Sequence, residues 1–386
     1  MSAQEPIQFH RYSINDEEKK AVIEALESGW ITKGPRVAAF EEDFKKYTHS
    51  SHALALNSCT AGLHLAMLAL NIGPGDEVIT TPLTFVATVN MIVEVGAQPV
   101  LVDVNPDTLN IDIKTIEAAI TPRTKAIVPV HLAGQPCDLD PILALAKEHG
   151  LYVLDDAAHA IGAEYKGKPI GAYCDATAFS FYATKNITTG EGGMLTSPHS
   201  DLIEKARPLS LHGLSQDAWK RYAQNKVTHY LVNAPGYKYN MTDIQAAMGI
   251  VQLKKCDGFT AERAKRVARY REGLSNLPLR FQEPIPHIKH AHHLFPVVLD
   301  LDALTQSRDE IMSALQQQGI GCAVHFIPVH HHPFYADTLK DQIPRLSQAD
   351  TIGQSLISLP LYPTLTFENQ DRVIDTFSRI LKAAQR

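Results

Sequence analysis

The stretch "KAIVPVHLAGQPCDLDPILALAKEHGLYVLDD", residues 125–156, has two short apolar runs separated by a helical pattern. The runs occupy residues 125–131 and 151–156, and both consist mainly of aliphatic residues. Between them, "ILALAKEHG" has the apolar spacing of an amphipathic helix and closes on a glycine. Continuous apolar strands that alternate with helices are typical of a parallel sheet covered on both faces. The stretch therefore predicts an α/β fold built on a mostly parallel sheet.

The same alternation continues on both sides of this stretch. We predict further strands at residues 77–81, 99–104, 176–181 and 192–197. A helix is predicted near the start, because Asn15 can cap it and Glu18 follows three residues later, as in a capping box. Gly29 can end that helix. In such a sheet, ligand sites lie beyond the carboxyl ends of the strands.

The pattern changes after residue 250. There a long polar helix, "KKCDGFTAERAKRVARYREGLSNL", leads to short strand and helix patterns typical of a smaller α+β domain. We therefore predict a large domain over residues 1–250 and a small C-terminal domain over residues 251–386. Residues 215–238 have little periodicity, which predicts a long loop.

The composition narrows the class of protein. Of the 386 residues, 45% are hydrophobic and 20% are charged, and the formal net charge of −6 argues against a general nucleic-acid binder. We find no secretory signal and no apolar run of membrane-spanning length. The five cysteines are scattered and form no metal-type pair, which favours reduced thiols. We expect a soluble cytoplasmic protein that binds neither nucleic acid nor membrane.

Charged residues follow neighbouring strands at the points where those strands end. Asp155 and Asp156 close one run, and Lys185 follows the next predicted strand. Because the ends of parallel strands meet along one edge of a sheet, Asp156 and Lys185 are predicted to share a site. Burial within "FSFYATKNITTGEGG", residues 179–193, would lower the pKa of the lysine and make its amine nucleophilic. Of the two acids, we expect one to be structural and the other to hold a protonated ring nitrogen.

Three further features accompany this pair. "NSCTAGLHLAMLAL", residues 57–70, turns directly into an apolar helix, so Thr60 and Ala61 lie in a first turn whose free N–H groups favour an anion. Taken alone, such a start is more often simply that of a capped helix. Phe85 follows another strand and offers a flat face, and His159 forms either a local hydrogen bond or part of the site. Together with a lysine for an aldehyde and an acid for a ring nitrogen, these features predict a pyridoxal 5′-phosphate pocket.

Several motifs, in order along almost the whole chain, carry a family resemblance. They are "SGWITKGPRVAAFEEDF", "GDEVITTPLTFVAT", "VLDDAAHAIGA", "FSFYATKN", "GYKYNMTDIQAAMG" and "GIGCAVHF". They resemble the successive signatures of the DegT/StrS family of nucleotide-sugar aminotransferases. The resemblance implies a fold-type-I transferase that depends on pyridoxal phosphate, with a large sheet domain and a smaller C-terminal α+β domain.

The resemblance also implies roles for individual residues. Lys185 would hold the cofactor as a Schiff base, Asp156 would pair with its ring nitrogen, and His159 would lie near its hydroxyl. Phe85 would stack on the ring, and the phosphate would be taken by Thr60, Ala61 and Ser180. Asn240, where many relatives have Arg, would reach the phosphate from the neighbouring subunit of a homodimer. Three residues would lie near the substrate: Trp30, Thr32 and His325. A plain core position is equally compatible with Trp30.

The resemblance is strongest to members that form 4-amino sugars, including UDP-4-amino-4-deoxy-L-arabinose. It implies ping-pong transfer of an amino group from L-glutamate to a keto nucleotide sugar, destined for cell-surface polysaccharide or lipid A. UDP-linked 4-keto sugars are favoured, and GDP-linked precursors stay open. Two alternatives are a sugar dehydratase of the same family and a non-enzymatic regulator. Such dehydratases replace the Schiff-base lysine with histidine, and the intact Lys185 and Asp156 argue against both alternatives.

Two histidine clusters stand outside these motifs. They consist of His287, His290, His292 and His293, and of His330, His331 and His332. No acidic or cysteine co-ligand lies at a suitable spacing in the sequence, so we expect no metal there. Positions at the surface or at the domain junction are predicted instead.

Overall fold

The computed structural model describes residues 5–214 and 231–386. Their helices are α1 (Asp16–Glu27), α2 (Pro35–Thr48), α3 (Cys59–Ala69), α4 (Ala87–Glu94), α5 (Ile113–Glu117), α6 (Leu139–His149), α7 (Ser200–Leu209), α8 (Asp243–Leu274), α9 (Arg308–Gln317), α10 (Pro333–Thr338), α11 (Ser347–Ser355) and α12 (Phe367–Ala383). Their strands are β1 (His52–Leu56), β2 (Glu77–Thr80), β3 (Gln98–Leu101), β4 (Thr124–Val128), β5 (Tyr152–Asp156), β6 (Glu164–Tyr165), β7 (Lys168–Pro169), β8 (Ala176–Ser180), β9 (Gly193–Ser197), β10 (Leu279–Phe281), β11 (Ile288–Lys289), β12 (Phe295–Leu299) and β13 (Leu356–Leu359).

The main sheet of the described residues has seven strands in the order β1-β9-β8-β5-β4-β2-β3. The strands from β8 to β3 pair in parallel, whereas β9 runs antiparallel to both β8 and β1. The predicted mostly parallel sheet is therefore confirmed. The edge strand β1, "HALAL", is absent from the predicted strands.

Apolar side chains of this sheet pack against helices on both faces. On one face, Ile127 and Val153 join the side chains of α2 and α6. On the other face, Val128 and Leu154 join those of α3 and α7. Successive strand residues point to opposite faces, so a strand covered on both sides must be apolar throughout. This is the physical reason for the continuous apolar runs in the sequence.

Helix α8 connects two hydrophobic cores. Leu253, in its first half, packs in the core of the main sheet, whereas Leu274, at its end, packs in a second core. That second core includes the three-stranded sheet β10-β12-β13 and also takes in Ile7 from the N-terminal segment. The domain boundary predicted between residues 250 and 251 falls inside α8, and it stays a prediction.

Helix α1 begins with the predicted capping box. Asn15 Oδ1 accepts from the Glu17 N–H at 2.9 Å, and Glu18 Oε2 accepts from the Asn15 N–H at 2.9 Å. The helix ends shortly before Gly29, whose φ of 76° is in the left-handed region that glycine tolerates.

The loop predicted at residues 215–238 falls mainly on residues 215–230, which lie outside the described residues. Among the helices of the described part, none has the length and apolar character needed to cross a membrane.

Candidate active site

A cavity of about 550 Å³ opens at the carboxyl ends of β5 and β8. Asp156 is the last residue of β5 and Ser180 is the last residue of β8, and both line the cavity. Lys185 lies in the segment that follows β8 and lines the cavity as well. Asp156 and Lys185 thus share one cavity, as the strand-end argument predicts.

The Lys185 amine is weakly basic for a lysine. Burial lowers the pKa of Lys185 to about 8, although the nearby Asp156 carboxylate acts in the opposite direction. With an ordinary pKa of about 10.4, a lysine is almost fully protonated at pH 7. With a pKa of about 8, roughly a tenth of the molecules carry a neutral Lys185 amine at pH 7. This amine can therefore act as a nucleophile and as a proton acceptor.

Donors from three elements hold the Asp156 carboxylate. Thr88 Oγ1 donates to Oδ2 at 2.7 Å, and the Ala158 N–H donates to Oδ1 at 3.1 Å. The Cys59 thiol lies 3.9 Å from Oδ1, and its pKa is raised by burial and by the carboxylate, so it stays a neutral donor. The carboxylate is thus held in one orientation in the cavity wall, where it can pair with a cation.

The neighbouring acid, Asp155, has a different environment. Consecutive strand residues point to opposite faces, and Asp156 rather than Asp155 lines the cavity. Asp155 is fully buried, and Thr177 Oγ1 donates to its Oδ2 at 3.3 Å. His131 Nε2 lies 3.5 Å from its Oδ1, at ion-pair distance but without a hydrogen bond. Asp155 is therefore the structural acid of the pair.

His159 is held as a neutral ring beside the lysine. Its Nδ1 accepts from the Ala133 N–H at 3.3 Å, which places the ring proton on Nε2. Burial, reinforced by the nearby charge of Lys185, lowers the pKa of His159 well below its usual value. The ring stacks on Phe326 with centroids 5.8 Å apart and lies 4.4 Å from the His293 ring. An uncharged N–H donor is thus available in the cavity.

Helix α3 starts in the cavity wall. The Ser58 hydroxyl caps it by accepting from the Ala61 N–H at 3.0 Å, and both Ser58 and Thr60 line the cavity. The free N–H groups and the dipole at this helix start favour an anion, and the Ser180 hydroxyl joins them from the end of β8. Ala61 is buried and does not line the cavity, and the Ser58 cap occupies its N–H. Its phosphate contact stays a prediction.

The turn before α3 depends on a glycine in the neighbouring strand. Gly193 of β9 pairs with Leu56 of β1, directly below this turn. A Cβ at position 193 would lie 2.3 Å from the Ser58 carbonyl carbon, a distance at which no side chain fits. Gly193 therefore lets the start of α3 lie directly against the sheet.

Phe85 and His325 also line the cavity. The Phe85 ring is 60% exposed and lies 5.9 Å from the Phe326 ring, so it has a free face of the kind that stacking requires. His325 Nδ1 lies 3.0 Å from Ser358 Oγ. Burial, with a smaller effect of the Lys185 charge, lowers the pKa of His325 to about 4, so this ring is neutral at pH 7.

Three further predicted site residues, besides Ala61, do not line this cavity. Asn240 is buried beside β1, where its Nδ2 donates to a backbone carbonyl at 3.2 Å. Trp30 is 41% exposed, and the Thr32 carbonyl accepts from the Asp243 N–H at 2.8 Å. The resemblance places these residues at a subunit interface or at the substrate mouth, and both roles stay predictions.

The sequence analysis missed several residues of the site. Thr88 follows Phe85 by about one helical turn in "TPLTFVAT", a spacing that could have indicated it. His10 and His293 line the cavity as well. His293 is buried, and its Nδ1 lies 3.1 Å from Asn186 Oδ1. The sequence instead predicted a position at the surface or at the domain junction. No local signal marks these two histidines, because the fold alone brings them to the lysine.

The second histidine cluster has an acidic neighbour that its sequence spacing does not reveal, and the expectation of no metal there stays a prediction. His330 Nε2 and His331 Nε2 lie 2.6 and 2.7 Å from the same oxygen of Asp350. The ligand atoms of these three residues lie within 4.8 Å of one another. A carboxylate that accepts two imidazole N–H groups accounts for this geometry, so we assign the group a structural role. Asp350 is too distant in the sequence for spacing to reveal it.

The cavity and its residues match a known family. The model of the DegT/DnrJ/EryC1/StrS aminotransferase family matches residues 12–378. The chain belongs to this family. This aminotransferase is 49% identical over 374 residues to the spore coat polysaccharide biosynthesis protein SpsC of Bacillus subtilis (strain 168), with 96% of each chain covered.

Solved structures of two proteins resemble the aminotransferase closely. The PMP form of Spr1654 from Streptococcus pneumoniae has a TM-score of 0.92 and 34% identity, covering 98% of this chain and 99% of that chain. Its PLP form has a TM-score of 0.91 and 33% identity, with the same coverage. Helicobacter pylori PseC, an aminotransferase involved in the biosynthesis of pseudoaminic acid, has a TM-score of 0.90 and 32% identity, covering 98% of this chain and 100% of that chain.

These likenesses confirm the predicted family, fold-type-I architecture, aminotransferase activity and pyridoxal phosphate cofactor. The residues present also fit that cofactor. A weakly basic lysine, an oriented carboxylate, a free aromatic face and a helix start surround a single cavity. These are the groups that an aldehyde, a ring nitrogen, a flat ring and a phosphate require.

Proposed function

We propose that this aminotransferase moves an amino group from L-glutamate to a keto nucleotide sugar. One observation carries the proposal: the Lys185 amine, with a pKa of about 8, and the Asp156 carboxylate line the same cavity. Transfer of an amino group needs a base that can move a proton and an acid that keeps the cofactor ring protonated. The intact lysine also argues against the dehydratase alternative.

Each residue of the cavity has one role in this proposal. Pyridoxal phosphate, when bound, supplies an aldehyde for the amino group and a ring that takes up negative charge. Lys185 binds the aldehyde and, once displaced, accepts a proton on Nζ and returns it to a different carbon. Asp156 pairs with the ring nitrogen, while Thr60 and Ser180 bind the phosphate at the start of α3.

Two neutral side chains complete the cofactor contacts. His159 donates its Nε2–H to the ring hydroxyl oxygen and adds no charge beside Lys185. Phe85 covers one face of the ring and excludes water from it. The uncharged state of His159 matters, because a cation there would compete with Lys185 for the same negative groups.

The relatives support a sugar as the amino acceptor. SpsC is a spore coat polysaccharide biosynthesis protein, and PseC takes part in the biosynthesis of pseudoaminic acid. The motif resemblance favours a UDP-linked 4-keto sugar, giving a 4-amino sugar for cell-surface polysaccharide or lipid A. We propose that the acceptor contacts His325 within the cavity and Trp30 and Thr32 at its mouth.

The proposal extends to kinetics and assembly. Donor and acceptor use the same lysine in turn, so we propose a ping-pong reaction. We also propose a homodimer in which Asn240 contributes to the phosphate site of the partner subunit.

The five free cysteines, four of them buried, support a reducing cytoplasmic location.

A substrate panel tests the proposal. UDP-, GDP- and dTDP-linked keto sugars are incubated with L-glutamate, and amination is followed by mass spectrometry. We expect amination of a UDP-linked 4-keto sugar, a loss of at least about 10³-fold in Lys185→Ala, and an unchanged rate in the exposed control Lys205→Ala. Dehydration without amination, or no amination of any sugar, would contradict the proposal.

A further inference from the structure

Arg263 of helix α8 is a buried cation without a paired anion among the described residues. Only 1% of the residue is exposed, and its Nε and Nη1 atoms have no hydrogen-bond partner among the described residues. No carboxylate in residues 5–214 or 231–386 forms an ion pair with it. Burial lowers the pKa of Arg263 to about 10, which still leaves the guanidinium charged at pH 7.

Such a charge is unfavourable unless something compensates it. Burial of an uncompensated ion costs several kcal/mol even after the protein relaxes. Arginine cannot escape this cost by losing its proton under ordinary conditions. A counter-charge from outside the described side chains is therefore the simplest way to satisfy Arg263.

A small cavity lies against Arg263, on the side of Lys185. Arg263, Ser13, His10 and Lys185 line it together with Gln252 and Thr188. The buried Ser13 Oγ and His10 Nε2 also lack hydrogen-bond partners among the described residues. Unpartnered polar atoms from the N-terminal segment and from α8 thus meet around one small cavity. This is unusual, because buried polar groups in proteins are nearly always satisfied.

The size of the cavity limits what it can hold. Its volume of about 10 Å³ leaves room for about one water molecule or one monatomic ion. A carboxylate, phosphate or sulfate has several heavy atoms and would require the lining residues to move apart. The lining therefore supplies positive charge and hydroxyl donors, whereas the volume selects a halide-sized ligand.

We propose that this cavity is a binding site for a small monovalent anion, chloride under ordinary conditions, held by the Arg263 guanidinium and the Ser13 hydroxyl. His10 and Lys185 line both this cavity and the active-site cavity, so the bound ion lies next to the lysine. Its negative charge offsets the effect of Arg263 on the groups around Lys185. Occupancy of the site therefore couples the halide concentration to the environment of the reactive amine.

Thermal unfolding of the holoenzyme in sodium chloride and in sodium gluconate, at equal ionic strength, tests the site. Gluconate is too large to enter. We expect the melting temperature of the wild type to be about 2 °C higher in chloride, at a concentration tenfold above the dissociation constant. Arg263→Met should lose this difference, and in gluconate it should be at least as stable as the wild type, because the unpaired charge is gone. Arg269→Gln, on the same helix at an exposed ion pair with Asp371, should retain the difference.

Ser13→Ala provides a milder variant, since the hydroxyl has no other partner, and it should reduce the chloride effect without disturbing the fold. Crystals of the holoenzyme grown in bromide give a direct view. We expect an anomalous difference peak in contact with Arg263 and Ser13, absent in Arg263→Met. Water density at that position in the wild type, or an equal chloride effect in the wild type and Arg263→Met, would overturn the proposal.

Discussion

At the scale of single residues, Lys185 binds its proton less tightly in the folded protein than in the unfolded chain. Burial lowers its pKa from 10.5 to about 8. Below pH 8 both states carry the proton, and the folded state carries the cost of a buried charge. Between pH 8 and 10.5 the unfolded chain binds more protons, so the Lys185 contribution to stability rises with pH in that window.

This linkage predicts a pH-dependent gap between two cofactor-free proteins. Lys185→Met should be more stable than the wild type at pH 7, by at most about 3 kcal/mol, because it removes the buried charge. The gap should shrink between pH 8 and pH 10. Urea unfolding at a series of pH values measures both free energies of unfolding. A gap that stays constant across this range would show that Lys185 is fully hydrated in the fold.

Thr88 sets the orientation of Asp156. Its hydroxyl donates to the carboxylate at 2.7 Å, a bond whose net value is about 1–1.5 kcal/mol. Thr88→Val keeps the shape of the side chain and should lower the transamination rate about tenfold, while Thr88→Ser should recover most of it. The cofactor absorbance at several pH values should shift in the valine variant alone, because the ring nitrogen then pairs with a misplaced acid. Equal rates and spectra in both variants would remove Thr88 from the site.

Individual residues of the site differ in whether the sequence could predict their positions. Asp156 and Lys185 follow neighbouring strands of a parallel sheet, so their meeting follows from a general rule about strand ends. No such rule predicts the positions of Thr88 and His293. Thr88 reaches Asp156 from the start of α4, and His293 arrives from a segment far along the chain. Their positions depend on how separate elements pack.

At the scale of elements, the close approach of β9 to the start of α3 is the most constrained contact of the site. A Cβ at Gly193 would lie 2.3 Å from the Ser58 carbonyl carbon, so Gly193→Ala must displace the helix start. We expect a loss of at least about 2 kcal/mol in stability and weaker retention of the cofactor phosphate. Denaturant unfolding and cofactor release on dialysis measure these two effects.

Gly258 in α8 is a matched control for that substitution. It is exposed, its φ is not in the left-handed region, and a Cβ there would meet nothing within 4 Å. Gly258→Ala should raise stability by about 0.5–1 kcal/mol, because alanine favours a helix more than glycine does. If Gly193→Ala and Gly258→Ala changed stability by similar amounts, the turn at Ser58 would shift more easily than its geometry indicates.

The sheet was predictable to different degrees at its centre and at its edge. The central strands are apolar, and most of them are separated by helices, so their direction follows from that pattern. The edge strand β1 has five residues and runs antiparallel to β9. Its pairing partner lies more than a hundred residues away in the sequence, so no local periodicity could reveal it.

At the scale of the whole molecule, the cavity belongs to both cores. Lys185 comes from the main-sheet core, whereas His325 and Leu359 come from the part of the chain that forms the small sheet, and Phe9 comes from the N-terminal segment. Helix α8 passes through both cores, which fixes their relative position. The sequence predicts two domains, but the surfaces on which they meet depend on tertiary packing alone.

Asn240 provides a test of the assembly as a whole. It does not line the cavity of its own subunit, and its Oδ1 has no hydrogen-bond partner among the described residues. If it serves the phosphate of a partner subunit, the holoenzyme should sediment near 85 kDa, twice the chain mass of 42.5 kDa. Dilution into the monomer range should then speed cofactor release severalfold. Asn240→Ala should release the cofactor faster while still a dimer, whereas the exposed control Lys205→Ala should not. A monomer that keeps its cofactor as firmly as the dimer would rule out a phosphate site shared between subunits.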